Sequence, residues 1–101
     1  MTNQLTLALA HQAWSGKTKI NGALIGDGSH NGYDVEIYRA ASGRITIRCS
    51  YWHWEQDASR EGYLLDHRVS GADLMTAELR ARDCGYPLPA LLAAISAAEE
   101  E

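Results

Sequence analysis

The 101-residue sequence predicts an α+β fold: an N-terminal helix, an antiparallel meander of three or four strands, and two C-terminal helices packed on one face of the sheet. Three observations carry that expectation. Apolar and polar residues alternate at period 2 over residues 33–39 and 45–54, the spacing of half-buried strands. Beyond residue 70 the apolar period becomes helical, with Leu74, Ala77, Ala81 and Cys84 on one stripe and Leu88, Leu91, Leu92 and Ile95 on another. Gly43, Gly62 and Gly85 fall between these runs, where chain reversals are needed.

In chain order, residues 3–15 read as a short amphipathic helix. Thr2 or Asn3 caps it, Leu5, Leu9 and Ala13 line one face, and Gly16 stops it. The Leu-Thr-Leu-Ala-Leu alternation at 5–9 also permits a strand. Residues 17–20 suit a short strand. Gly22, Gly26, Gly28 and Gly32 then punctuate a segment that reads as a mobile loop over about 21–32, with Ala23, Leu24 and Ile25 adding a little edge strand.

Residues 33–39 and 45–54 form a hairpin across the 40–44 turn, with Gly43 in the left-handed position of a bulged turn. One register sets Ile37 opposite Ile47, Val35 opposite Cys49 and Tyr33 opposite Tyr51, and places Glu36 against Arg48 on the other face. Opposite charges across a strand pair contribute about 0.2–1 kcal/mol, so apolar and charge patterns select the same register. A polar connection at 56–61 leads to a third strand over 63–69. Ser70 then caps a helix over about 72–83, with Asp73 in its first turn. Pro89 suits the first turn of the last helix. The three terminal glutamates oppose that helix's dipole and predict a frayed tail over 98–101. The length and the absence of a linker predict one domain spanning 1–101.

Charge limits the function classes. The chain carries 9 Lys+Arg against 13 Asp+Glu, a net charge of −4. Residues 1–60 are net +1 and residues 61–101 net −5. This balance disfavours direct nucleic-acid binding and suits an acidic face meeting a basic protein. The apolar runs are too short for a membrane span, and the N-terminus lacks the basic region of a signal peptide, so a cytoplasmic protein is expected. Cys49 and Cys84 then read as buried thiols rather than a disulfide.

Motifs of catalysis or cofactor binding are incomplete. Residues 15–18, Ser-Gly-Lys-Thr, echo the end of a phosphate-binding loop, but His11 stands where its first glycine belongs. Residues 27–32, Asp-Gly-Ser-His-Asn-Gly, match half of a calcium loop, but Tyr38 replaces its bidentate glutamate; a hairpin connection explains the segment better. The four histidines, His11, His30, His53 and His67, show no zinc spacing. No cofactor or metal is expected.

Six of the eight aromatic residues fall between 33 and 63, and the chain has no Phe. Tyr38, Arg48, Trp52 and Trp54 share the face turned away from Val35 and Ile47, either as covered core or as a binding surface of interface-type residues. The sequence therefore predicts a small, acidic, non-enzymatic protein-binding domain. In that reading Tyr38, Arg48, Trp52 and Trp54 anchor a protein partner, and Glu61, Asp66, Asp73, Glu78 and Asp83 steer it by charge. In size and charge alone it is analogous to anti-CRISPR and anti-restriction proteins of phages and plasmids, inhibitors of larger nucleic-acid-handling complexes. The rival is an enzyme or a ligand- or metal-binding domain with a pocket beneath the 22–32 loop, using Asp27, His30, His53 or Glu55. A third reading is a homodimer joined through the aromatic face.

Overall fold

The computed structural model of the protein describes residues 20–52 and 63–100, with backbone alone at 51, 52 and 63–66. Four strands form an antiparallel meander in chain order: β1 (Ala23–His30), β2 (Tyr33–Arg39), β3 (Ile45–Trp52) and β4 (Tyr63–Gly71). Two helices follow, α1 (Leu74–Asp83) and α2 (Leu88–Glu99). Both lie on one face of the sheet: α2 rests mainly on β1, and α1 on β4 and β3. The α+β class, the meander and the C-terminal helix pair match the sequence expectation. The helix expected at 3–15 lies outside the described residues, as does the 15–18 motif.

The β2–β3 register is the expected one, with Ile37 opposite Ile47, Val35 opposite Cys49, Tyr33 opposite Tyr51 and Glu36 opposite Arg48. Val35, Ile37, Ile45, Ile47 and Cys49 are buried beneath the helices with Ala77, Ala81, Leu91 and Ile95. Cys49 and Cys84 are free thiols. Burial, helped by the nearby Asp34 charge, pushes the Cys49 thiol up to about 12, so it stays protonated and inert at neutral pH. Tyr86, between the helices, is buried too; its hydroxyl donates to the carbonyl of His67 at 3.0 Å and also reaches that of Ile47 at 3.3 Å.

The first correction concerns the expected 21–32 loop, which is largely the edge strand β1. Its turn to β2 is only Asn31 and Gly32, with φ of 51° and 85°, the left-handed pair that an Asn-Gly hairpin turn requires. Gly26 and Gly28 serve another purpose. A Cβ on Gly28 would come within 2.5 Å of the Ala90 carbonyl oxygen, and one on Gly26 would strike the Ala94 carbonyl and the Ala98 amide. These glycines let α2 lie directly on the strand. The register shifts between Leu24 and Gly26, so Ile25 is a bulge residue and enters the core beside Gly26.

Helix boundaries bring further corrections. β4 continues to Gly71, opposite Ile45, so Ser70 is a strand residue and not a cap. Asp73 caps α1, its Oδ1 accepting from the Thr76 amide at 2.8 Å. That hydrogen bond holds the Asp73 carboxyl below its ordinary value of 3.8. A lowered native pKa means that the stability from the ionised cap is complete above that ordinary value and is lost as pH falls through the native one. Thermal melts below pH 4 should therefore show an acid-sensitive increment in the wild type that is absent from Asp73→Asn, since asparagine also caps helices. Identical acid profiles for the two proteins would refute this role. In α2 the buried face is Ala90, Leu91, Ala94, Ile95 and Ala98, while Leu88 and Leu92 are exposed. α2 runs to Glu99, and Ala98 is buried; Glu101 lies outside the described residues.

Candidate functional site

The strand registers build the sheet face that points away from the helices. One row across it is Asp27, Glu36, Arg48 and Arg68; a second is Leu24, Tyr38, Thr46 and Ser70; a third is Ser29, Asp34, Ser50 and Asp66. This face is dominated by polar and charged residues. At its centre the Arg48 guanidinium donates to Glu36 Oε1 from Nη2 at 2.7 Å and from Nε at 2.9 Å. The same Nη2 donates to the Tyr38 hydroxyl at 3.1 Å, and that hydroxyl donates to Glu36 Oε1 at 3.2 Å. The guanidinium also stands 5.5 Å from the Tyr38 ring centroid, within cation–π range.

The structure thus brings Tyr38 and Arg48 together, as the sequence suggested, but in a network within the chain. Arg48 is only 4% exposed and Ser50 is fully buried, so the middle of this face is covered rather than open. Trp52 is described by its backbone alone, which lies opposite Tyr63 past a register shift, and the Asp66 backbone lies opposite Ser50. Trp54, Glu61, His53 and Glu55 lie outside the described residues.

Of the acidic residues expected to steer the same contact, Asp73, Glu78 and Asp83 are elsewhere. Asp73 caps α1, Glu78 Oε2 accepts from Arg82 at 2.9 and 3.1 Å, and Asp83 is the last residue of α1. These three belong to the helical layer, and the sheet separates them from Tyr38 and Arg48. The 22–32 segment, expected as a loop over a pocket, is mostly β1. An extended strand spaces alternate side chains about 6–7 Å apart, so Asp27 and Ser29 do not wrap around an ion. His30 is exposed, with its Nε2 3.1 Å from Asn31 Nδ2.

A different candidate surface appears on the outer side of the helices. Met75 is 71% and Leu79 57% exposed, one turn apart on α1, and Leu88 and Leu92 are each 46% exposed, one turn apart on α2. The α1 pair was legible in the sequence. Met75 and Leu79 form a second apolar i, i+4 stripe, turned about 100–140° from Leu74 at 100° per residue, and a helix packed on one sheet buries only one stripe. No helix among the described residues is long and apolar enough to cross a membrane. Comparison with family models, curated proteins and solved structures finds no match to this chain.

Proposed function

We propose that the protein is a non-enzymatic protein-binding domain that docks through the outer surface of its helical layer. The observation that carries this reading is the exposure of Met75, Leu79, Leu88 and Leu92, four large apolar side chains on two adjacent helices. Large apolar groups left in water by a folded domain are the material from which the desolvated centre of an interface is made.

Charge narrows the partner. Arg82 is paired with Glu78, and Arg80 Nη1 donates to the Ser70 carbonyl at 2.5 Å. Asp73, Asp83, Glu99 and Glu100 leave the layer with an acidic surplus. The partner is therefore a protein with an apolar centre and a basic rim, and acidic steering speeds its approach. An inhibitor or modulator of a larger nucleic-acid-handling complex has these requirements, an argument by analogy of size and charge. We place the protein in the cytoplasm, a compartment in which the free thiols of Cys49 and Cys84 would persist.

The test compares the wild type with the doubly substituted Met75→Glu, Leu79→Glu protein. Both positions face water, so the variant should fold. Affinity capture from the source cell, followed by mass spectrometry, should recover a basic protein or complex with the wild type. The variant should lose it, and rising salt should weaken it. Recovery of the same proteins by both baits would overturn the proposal. So would a concentration-dependent doubling of mass in light scattering that the variant abolishes, which would assign the surface to a homodimer.

A further inference from the structure

The chain contains two Asn-Gly pairs, Asn21-Gly22 and Asn31-Gly32. In such a pair the glycine amide nitrogen, with no side chain to hinder its approach, can attack the side-chain carbonyl of the asparagine. The fold sets the two pairs apart. Asn31 and Gly32 are exposed at the tip of the β1–β2 hairpin, beyond the last ladder pair, His30 with Tyr33. Among the described non-glycine residues, Asn31 is the one with positive φ, at 51°. Gly22 instead sits against the end of β2: a Cβ on it would come within 2.8 Å of the Arg39 carbonyl oxygen and 3.1 Å of the Ala40 nitrogen. That crowding holds the peptide plane between Asn21 and Gly22 in place.

Ring closure between the Gly32 nitrogen and Asn31 Cγ has a geometric requirement. A near-planar five-membered imide brings that nitrogen into line with Asn31 Cβ, which sets ψ at about −120° in an L residue; with φ of about +60° this is the first central position of a type II′ turn. Asn31 already has the positive φ, because the turn is of type I′, with φ positive at both residues. Rotating the single peptide plane between Asn31 and Gly32 converts type I′ into type II′. Glycine accepts both conformations, and both turns close a two-residue hairpin. The imide therefore forms without unpairing His30 from Tyr33. A second group stands at the leaving atom: His30 Nε2 lies 3.1 Å from Asn31 Nδ2. The side-chain amide donates there and the imidazole accepts. Once the amide nitrogen becomes an amine, the imidazole can hand it a proton drawn from water.

We propose that Asn31 is a site of self-modification, converting through an imide with Gly32 to aspartate and isoaspartate, with His30 as proton donor to the departing nitrogen. The Gly32 nitrogen gives its proton to water and bonds to Asn31 Cγ. The Cγ–Nδ2 bond then breaks, and its electron pair leaves with the nitrogen, which takes a proton from His30 and departs as ammonia. Water next adds to one of the two imide carbonyls. Opening at Cγ gives aspartate; opening at the main-chain carbonyl gives isoaspartate, in which the chain runs through Cβ and Cγ. One water enters and one ammonia leaves, with no oxidant or reductant. The product carries a new carboxylate at the hairpin tip, and isoaspartate also lengthens the turn by one carbon. The site belongs to the sheet, so this proposal stands apart from docking through the helices.

Incubation of the full chain at neutral pH and physiological temperature, sampled by peptide mapping with mass spectrometry and by isoaspartyl methyltransferase labelling, tests it. In the folded protein Asn31 should convert several times faster than Asn21, and both aspartate and isoaspartate should appear at position 31. In urea the two sites should convert at similar rates, because only the shared Asn-Gly sequence remains. His30→Ala should slow conversion of folded Asn31 about threefold or more, a small share of the about 10²–10⁴-fold that a positioned acid contributes in enzymes. His30 is exposed, so the variant should fold, and His30→Gln serves the same purpose if it does not. No conversion at Asn31, equal rates at Asn21 and Asn31 in the folded protein, or aspartate without isoaspartate would overturn the assignment. An unchanged rate in the His30 variant would overturn the role of the imidazole.

Discussion

Gly26→Val is expected to destabilise the protein by about 3 kcal/mol or more, the upper end of the cost of overpacking a filled interior. A Cβ at Gly26 would meet main-chain atoms of α2: the Ala94 carbonyl oxygen, the Ala98 amide nitrogen at 2.7 Å and the Ala98 Cα at 3.1 Å. A clash with the tip of a side chain is relieved by a new rotamer. A clash with helix backbone requires the whole of α2 to lift from β1, which opens the contact along Ala90, Ala94 and Ala98. Gly43→Val, by contrast, meets nothing within 4 Å and bears only the cost of its positive φ. Urea unfolding of the two variants beside the wild type measures the difference. A midpoint for Gly26→Val equal to that of the wild type would show that α2 does not rest on the strand in this way.

The second large effect belongs to Arg48. Arg48→Met should cost about 3 kcal/mol, because it strands the Glu36 carboxylate, whose side chain is only 13% exposed, without its strongest donor. Glu36→Gln in the same protein should restore part of that loss, since the amide carries no charge to neutralise. A double-mutant cycle by denaturant unfolding should give a coupling of about 1 kcal/mol or more. Strict additivity of the two substitutions would mean that the pair contributes nothing beyond its separate members.

These residues also show what a sequence reveals. The Glu36–Arg48 pairing followed from period 2 and charge together, because a slip of one residue would have turned Val35 and Ile47 toward the wrong face. Arg48's burial did not follow. Local pattern tells which face a residue occupies, and only tertiary contact tells whether that face is covered. The glycines of β1 misled for a related reason. Glycine signals a turn when the chain must reverse and a close approach when another element must come near, and only Asn31-Gly32 does the former in this segment. The bulge at Ile25 broke the alternation that would have marked the strand. In α2, leucine drew attention to Leu88 and Leu92, whereas the seat on β1 required the smaller Ala90, Ala94 and Ala98.

The seating of α2 on β1 has a consequence in time. Each strand of the meander pairs with the next along the chain, so the hairpins can close in order as the polypeptide leaves the ribosome. Gly26 and Gly28 must wait for a partner more than sixty residues downstream, and the loop that joins them costs more entropy to close than any hairpin turn. During that interval the edge of the nascent sheet that is made first is the one still without its helix.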